Sequence, residues 1–359
     1  MIYIHVPFCK SRCTYCDFFS TVPKDNGPME RYTEALCAEI RRRAAEMDGS
    51  LNTLYFGGGT PSVLPLWCLS RILLTLEEVG HGGPYREFTL EANPDDIVSN
   101  GLPYLESLKQ LGVNRMSLGV QSFDDDLLRW MNRRHDAAKA REAVKMVREA
   151  GFRNLSLDLI FGLSNLTDGV WEKTIDEAVT LQPEHISCYQ LSIESGSALA
   201  KMAEKGEYTE ASEELCSRQY DILCRKLGAE GYNHYEISNF AKPGFEAVHN
   251  GGYWARKPYV GLGPSAHSFS GCSRSWNDST LDGYKRTEES LSGEDETVET
   301  IMLGLRTAKG VDAEFLEKNS MKGSIEALTQ AGALVKQGNR YRIPEDHFFT
   351  SDAIIRQLI

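Results

Sequence analysis

Between Ile2 and Leu227 the chain runs through one pattern six times: a short apolar or alternating segment, then a longer one with helical spacing. The short segments are Ile2 to Val6, Leu51 to Phe56, a run ending in Thr89 to Pro94, Arg115 to Val120, Asn154 to Ile160 and His185 to Leu191. The helical stretches are Tyr32 to Met47 with a stop at Gly49, Leu66 to Val79, and Asn100 to Leu111. A fourth is capped by Asp136 and ended by Gly151, with Ala140, Ala143, Val144, Val147 and Ala150 on one stripe. Gly169 to Leu181 and Glu210 to Leu227 complete the set. Alternation of this kind predicts an α/β fold of parallel strands with right-handed crossovers, curved as an open (β/α)6 barrel, a partial TIM barrel.

The residues that break the pattern fall in one place. Each strand carries its unusual polar or glycine residues at its C-terminal end: three thiols after Val6, then Gly57 to Thr60, Glu91, Gln121, Asp158 with Gly162, and Ser192. Alone, each has a structural reading: three glycines as a turn, Glu91 as a solvated carboxylate, Asp158 as a buried cap. Together they describe one pocket at the rim where barrels of this kind work. Glycine N–H groups at 57 to 59 can approach a ligand closely. Glu91 and Asp158 suit hydroxyls or a positive charge. Arg133, or its neighbour Arg134, can clamp a carboxylate.

The first loop carries the most specific chemistry. Pro7 ends the strand, and Cys9, Cys13 and Cys16 follow in a Cys-x3-Cys-x2-Cys spacing. Three thiolates on one tight loop can hold three irons of a [4Fe–4S] cluster and leave the fourth without a protein ligand. The amino and carboxylate groups of S-adenosylmethionine fit that open corner. A zinc site completed by His5 would want a second close-spaced pair, which the sequence lacks downstream; scattered core thiols are the other alternative. The spacing, with Tyr15 before the last thiol, resembles the radical SAM signature.

Net charge is −12, which repels nucleic acid and anionic membranes. Nine cysteines, three of them in one loop, with no secretory or twin-arginine leader, point to a reducing, cytoplasmic setting. No apolar run nears the ~20 residues that span a bilayer. From Gly231 to Tyr284 glycine and aromatic residues rise and helical periodicity fades, so short strands and loops are expected to close the barrel side. Ser290 to Glu296 reads as an acidic linker. Beyond it Thr297 to Gly304, Asp312 to Lys318, Ser324 to Gln337, a strand Gln337 to Ile343 and Asp352 to Leu358 suggest a small winged-helix-like unit. That unit has as many acidic as basic residues, so packing or docking suits it better than DNA. The expected organisation is a barrel over 1–230, an extension over 231–289 and the C-terminal unit over 290–359.

Over essentially its whole length the chain resembles the coproporphyrinogen dehydrogenase family of radical SAM proteins, also called oxygen-independent coproporphyrinogen III oxidases. The likeness rests on Tyr3-Ile-His-Val-Pro-Phe-Cys9, Gly57-Gly-Gly-Thr-Pro-Ser62, Gly119-Val-Gln-Ser-Phe123, Asp158-Leu-Ile-Phe-Gly-Leu163 and Tyr235-Glu-Ile-Ser-Asn-Phe-Ala241. Ser164-Asn165-Leu166 departs from it, since proline is common there. The resemblance implies that Cys9, Cys13 and Cys16 hold the cluster. It implies S-adenosylmethionine contacts at Tyr3, Gly58, Gly59, Thr60, Glu91, Gln121, Arg133 and Asp158. Within the family, the dehydrogenases carry a further Cys two places after the motif and an N-terminal extension. Here Phe18 stands at that place and the chain starts two residues before Tyr3. The haem-chaperone branch instead carries His-Asn-x-x-Tyr-Trp, present as His249 to Trp254. A neutral imidazole is a good haem ligand, against the alternative of a hydrogen-bonded structural histidine. The function this implies is binding haem and passing it to haem-requiring proteins such as cytochromes, with a flavodoxin- or ferredoxin-type electron donor. The alternative is oxidative decarboxylation of coproporphyrinogen III.

Overall fold

The structure, a computed structural model, describes residues 1–47, 52–281 and 283–359. The expected helix stop at Gly49 and strand start at Leu51 lie outside the described residues. Six strands, β1 (Ile2–Val6), β2 (Thr53–Gly58), β3 (Glu87–Ala92), β4 (Arg115–Gln121), β5 (Leu155–Phe161) and β6 (His185–Gln190), stand parallel and in chain order. The helices around them are α1 (Gly27–Arg42), α2 (Leu66–Glu78), α3 (Pro94–Gln110), α4 (Asp125–Trp130), α5 (Ala137–Glu149), α6 (Asp168–Thr180), α7 (Ala198–Glu204) and α8 (Glu213–Ala229).

Strand periodicity explains the architecture. One face of each strand is apolar and fully buried, as with Ile2, Ile4 and Val6, Leu54 and Phe56, Met116 and Leu118, or Leu155 and Leu157. The alternate residues are polar: Tyr55, Glu91, Arg115, Ser117, Asp158 and Ser187 all border one cavity. Strands β2 to β6 can meet around a common space only if the sheet curves. The apolar faces lie in the continuous core shared with the helices. The barrel interior is a polar hollow.

Two helices start earlier than their spacing suggests. α1 begins at Gly27 with proline in its first turn, and so does α3, at Pro94. A fixed φ suits that position. Within α3 a left-handed Gly101 (φ 78°) breaks the helix, and the stretch expected from Asn100 is its second half. α1 stops at Arg42, short of the expected Met47. Asp136 caps α5 as expected, accepting the Lys139 N–H at 2.8 Å.

The second half widens the sheet on both edges. β7 (Asn233–Glu236) and β8 (Asn239–Ala241) run antiparallel beyond β6, whereas β9 (Val260–Leu262) runs parallel beside β1. Between them lies a helix that periodicity did not predict, α9 (Val248–Trp254). Two glycines weaken its propensity, and its cap comes from afar: the buried Glu87 carboxylate of β3 accepts the Val248 and His249 N–H groups, both at 2.8 Å. A second sheet follows, β10 (His267–Phe269), β11 (Ser273–Asn277) and β12 (Arg286–Ser290), all antiparallel.

The stretch expected as a linker is structured. Ser290 ends β12, and Ser292 forms a capping box with Asp295 at the start of α10 (Gly293–Leu305). After it come β13 (Val311–Asp312), α11 (Ala313–Asn319), α12 (Ser324–Gln330), β14 (Val335–Gln337), β15 (Arg340–Arg342) and α13 (Ser351–Ile355). The single helix expected from Ser324 to Gln337 is divided, because Gly332 turns left-handed (φ 74°) after α12 and leads into β14. The three strands form an antiparallel sheet in the order β13-β15-β14. This segment rests on the barrel through Phe348, whose ring meets His234 at 4.9 Å, and Phe349, which meets Tyr220 at 5.4 Å.

Candidate cofactor pocket

The hollow of the barrel is a cavity of about 590 Å³. Cys9, Cys13 and Cys16 all border it, and all three are free thiols. Their loop is pinned from several sides. The Cys9 N–H donates to the Thr21 carbonyl at 2.9 Å, and the Thr21 N–H returns to Pro7 at 2.8 Å. The Thr14 N–H reaches Met131 just past α4, and the Leu199 N–H of α7 reaches Thr14. Two short helices that sequence spacing did not reveal, α4 and α7, therefore clamp the thiol loop.

Donors already point at two of the sulfurs. Thr60 Oγ1 donates to Cys9 Sγ at 3.3 Å, and Arg133 Nη1 to Cys13 Sγ at 3.2 Å. Burial pushes the Cys9 thiol up, and Cys16 up to about 11, so nearby cations would be needed to hold them as thiolates. Among the described residues no three His, Cys, Asp or Glu side chains converge on the place of a single metal ion. A cluster takes its thiolates at separate irons, and three free thiols on one cavity wall, two with hydrogen-bond donors, fit that demand.

The remaining expected residues divide. Glu91 sits between the Tyr55 hydroxyl, donating at 2.6 Å, and the Gly58 N–H at 3.2 Å. Burial raises its carboxyl to about 7. Asp158 accepts from Ser117 Oγ at 3.2 Å, and burial raises it too. Gln121 adopts a left-handed φ of 69° after a register shift between Gly119 and Gln121. Such bulges re-aim side chains at functional rims. Arg133 borders the cavity and bonds Asn93 and Gly119, whereas Arg134 faces away and pairs with Asp95 and Asp96.

Four of the expected features are already engaged or lie beside the hollow. The glycine N–H groups are not free for a ligand: Gly58 donates to Glu91, and Gly59 to the Val6 carbonyl at 2.8 Å. Both glycines border the cavity and serve close packing, since a Cβ on Gly59 would lie 2.7 Å from the Phe8 carbonyl oxygen. Tyr3 borders a neighbouring cavity, its hydroxyl 3.1 Å from His5 Nδ1. His249 does not face open space. It is fully buried, with Nδ1 2.9 Å from Thr53 Oγ1 and Nε2 2.8 Å from the Tyr253 hydroxyl, so both ring nitrogens are engaged in the way of a structural histidine. Gly162 also stays outside, its N–H held by Gln219 at 2.9 Å.

One residue escaped the sequence reading. Arg115 is 1% exposed at the cavity floor, and its side chain makes no hydrogen bond or ion pair among the described residues, with Nε unpartnered. Its signal was the alternation Arg115, Ser117, Gly119, Gln121, which puts four cavity residues on one strand face.

A curved parallel sheet with three thiols on the rim of its polar hollow places the chain in the radical SAM superfamily, whose model matches residues 3–178. The chain is 36% identical to the heme chaperone HemW of Bacillus subtilis over 88% of its own length and 86% of that protein's. It is 30% identical to the mitochondrial radical S-adenosyl methionine domain-containing protein 1 of Danio rerio, covering 96% of this chain and 82% of the relative. Among solved structures, coproporphyrinogen III oxidase (HemN) of Escherichia coli superposes with a TM-score of 0.83 at 21% identity, covering 99% of this chain and 89% of that one. The chain belongs to the HemW family of radical SAM proteins.

Proposed function

We propose that this chain binds haem and hands it to haem-requiring proteins such as cytochromes, on a core that carries a [4Fe–4S] cluster and S-adenosylmethionine. The observation that carries the core reading is the single cavity bordered by Cys9, Cys13, Cys16, Glu91, Gln121, Arg133 and Asp158. The relatives named as heme chaperones supply the haem reading.

In this reading the three thiols hold the cluster, and Arg133 and Thr60 compensate sulfur charge through the hydrogen bonds described. The cluster supplies low-potential electron transfer when loaded by a flavodoxin- or ferredoxin-type donor. Glu91 and Asp158 face the cationic and hydroxyl-bearing parts of S-adenosylmethionine, for which carboxylates are suited. Gln121, aimed inward by its bulge, adds a neutral donor and acceptor. Gly58 and Gly59 act indirectly, by bringing β2 against the thiol loop and Glu91.

The test is anaerobic reconstitution followed by two assays on the same sample. Haem titration should give a saturable Soret change, and haem should then move to an apo-cytochrome acceptor. Incubation with coproporphyrinogen III, S-adenosylmethionine and reductant should leave the porphyrinogen unchanged. Formation of protoporphyrinogen would overturn the carrier reading in favour of an oxidative decarboxylase. Cys13→Ala should lose the cluster's visible absorbance while the far-ultraviolet circular dichroism is retained.

A further inference from the structure

A second cavity of about 530 Å³ opens beside the first, within the range of ligand sites. Asp17 and Phe18, the two residues after Cys16, border both. We propose that this second cavity is the haem site, with His267 as the imidazole ligand to iron. The proposal rests on the haem-carrying reading and assigns it a place.

The walls suit a flat apolar ring. Phe18, Phe19, Tyr253, Tyr259 and Phe269 line the space, and aromatic faces stack well on an extended π-system. Phe18 is 63% exposed, a large apolar side chain held in water beside a cavity, which a planar ligand would cover. Tyr253 ties the site to α9, the helix that carries the His-Asn-x-x-Tyr-Trp run, so this run shapes the wall of the cavity from behind.

The charges suit a carboxylate. Arg256, Lys257 and Arg274 border the cavity against the carboxylates of Asp17 and Glu299. Glu299 is shared between the two arginines, at 3.1 Å from Arg256 and 2.6 Å from Arg274, and both guanidinium groups lie over the Phe269 ring. Lys257 is exposed and makes no ion pair among the described residues. Arg256 also pairs with Glu296 at 3.2 Å, so Lys257 is the cation at this cavity left for an outside anion, and a propionate of haem is an anion it fits.

The choice of ligand follows by elimination among the histidines at hand. His5 borders the cavity but has Nε2 bonded to the Phe19 carbonyl at 3.0 Å and Nδ1 near the Tyr3 hydroxyl. His249 has both nitrogens engaged within the core. His267 begins β10, is exposed and stacked on Trp276 at 6.1 Å, and its ring carries no hydrogen bond among the described residues. Partial desolvation and the nearby Arg274 lower its pKa, which favours the neutral imidazole that binds metal.

The test is ferric haem titrated into the full-length chain, with the Soret band followed for wild type, His267→Ala, Lys257→Glu and His249→Ala. Losing even an outer partner of a metal-bound histidine costs tenfold to a hundredfold in metal affinity, so His267→Ala should weaken haem binding by roughly tenfold or more and shift the band. Free imidazole added to His267→Ala should restore the wild-type band. Lys257→Glu should weaken binding several-fold with the band unmoved. A His267→Ala titration identical to wild type overturns this site, as does loss of the band in a folded His249→Ala with His267→Ala unchanged; either result leaves haem carriage standing. Wild-type protein that takes up no haem at all removes the carrier reading and this site with it.

Discussion

At the scale of single residues, burial sets the chemistry of the barrel interior. A carboxyl in the unfolded chain titrates near 4.5, whereas Glu91 and Glu236 are each raised to about 7, chiefly by burial. Between those values the folded state holds more protons than the unfolded one. Stability therefore falls as pH rises through that window and levels off above it, by up to ~1.4 kcal/mol per pH unit for each group. Glu91→Gln should remove its share, so urea midpoints measured at pH 5 and pH 8 should differ less in the variant than in wild type. Gly59→Ala should act differently. Its Cβ meets the Phe8 and Val6 carbonyl oxygens at 2.7 and 2.8 Å, which are backbone and cannot swing aside. A loss of about 1–3 kcal/mol is expected, together with reduced cluster loading after reconstitution, because those carbonyls lead into the thiol loop. That Glu91, Gln121, Asp158 and the thiols border one cavity was readable from their positions at strand ends. Arg115 was not, since a basic residue opening a strand reads as surface charge until the strand is known to curve inward. His249 stayed open between two readings for a related reason: its partners, Thr53 and Tyr253, are visible only once α9 is laid beside β2.

At the scale of elements, the strands were legible because alternation needs only local sequence, and β1 runs from Ile2 to Val6 as expected. Helices of more than twelve residues were legible, with ends off by up to six positions. Of the short ones, α11 and α13 fall where Asp312 to Lys318 and Asp352 to Leu358 were expected, whereas α4, α7 and α9, with six or seven residues each, gave no periodic signal, and their stability is tertiary. α9 gives the clearest case. Replacing Glu87 with Gln keeps its size but removes the negative charge that accepts two N–H groups at the helix start. A destabilisation of about 1–3 kcal/mol is expected, measurable as a lower thermal midpoint, with weaker haem binding because Tyr253 is carried on this helix.

At the scale of the whole molecule, the two cavities share the Asp17–Phe18 wall, so loading one should be felt in the other. Haem affinity compared between cluster-loaded protein and its cluster-free Cys13→Ser variant should differ several-fold, with the loaded form tighter because the wall is then fixed. Equal affinities would mean the two sites are energetically separate. The sheet order has another consequence. β1 lies between β2 and β9, and the Met1 carbonyl accepts from the Val260 N–H at 2.9 Å. β1 cannot gain its second neighbour until the chain has been made through β9. The edge that launches the thiol loop therefore waits through most of translation, and insertion of an inorganic cofactor into that loop has the whole of this interval in which to precede closure.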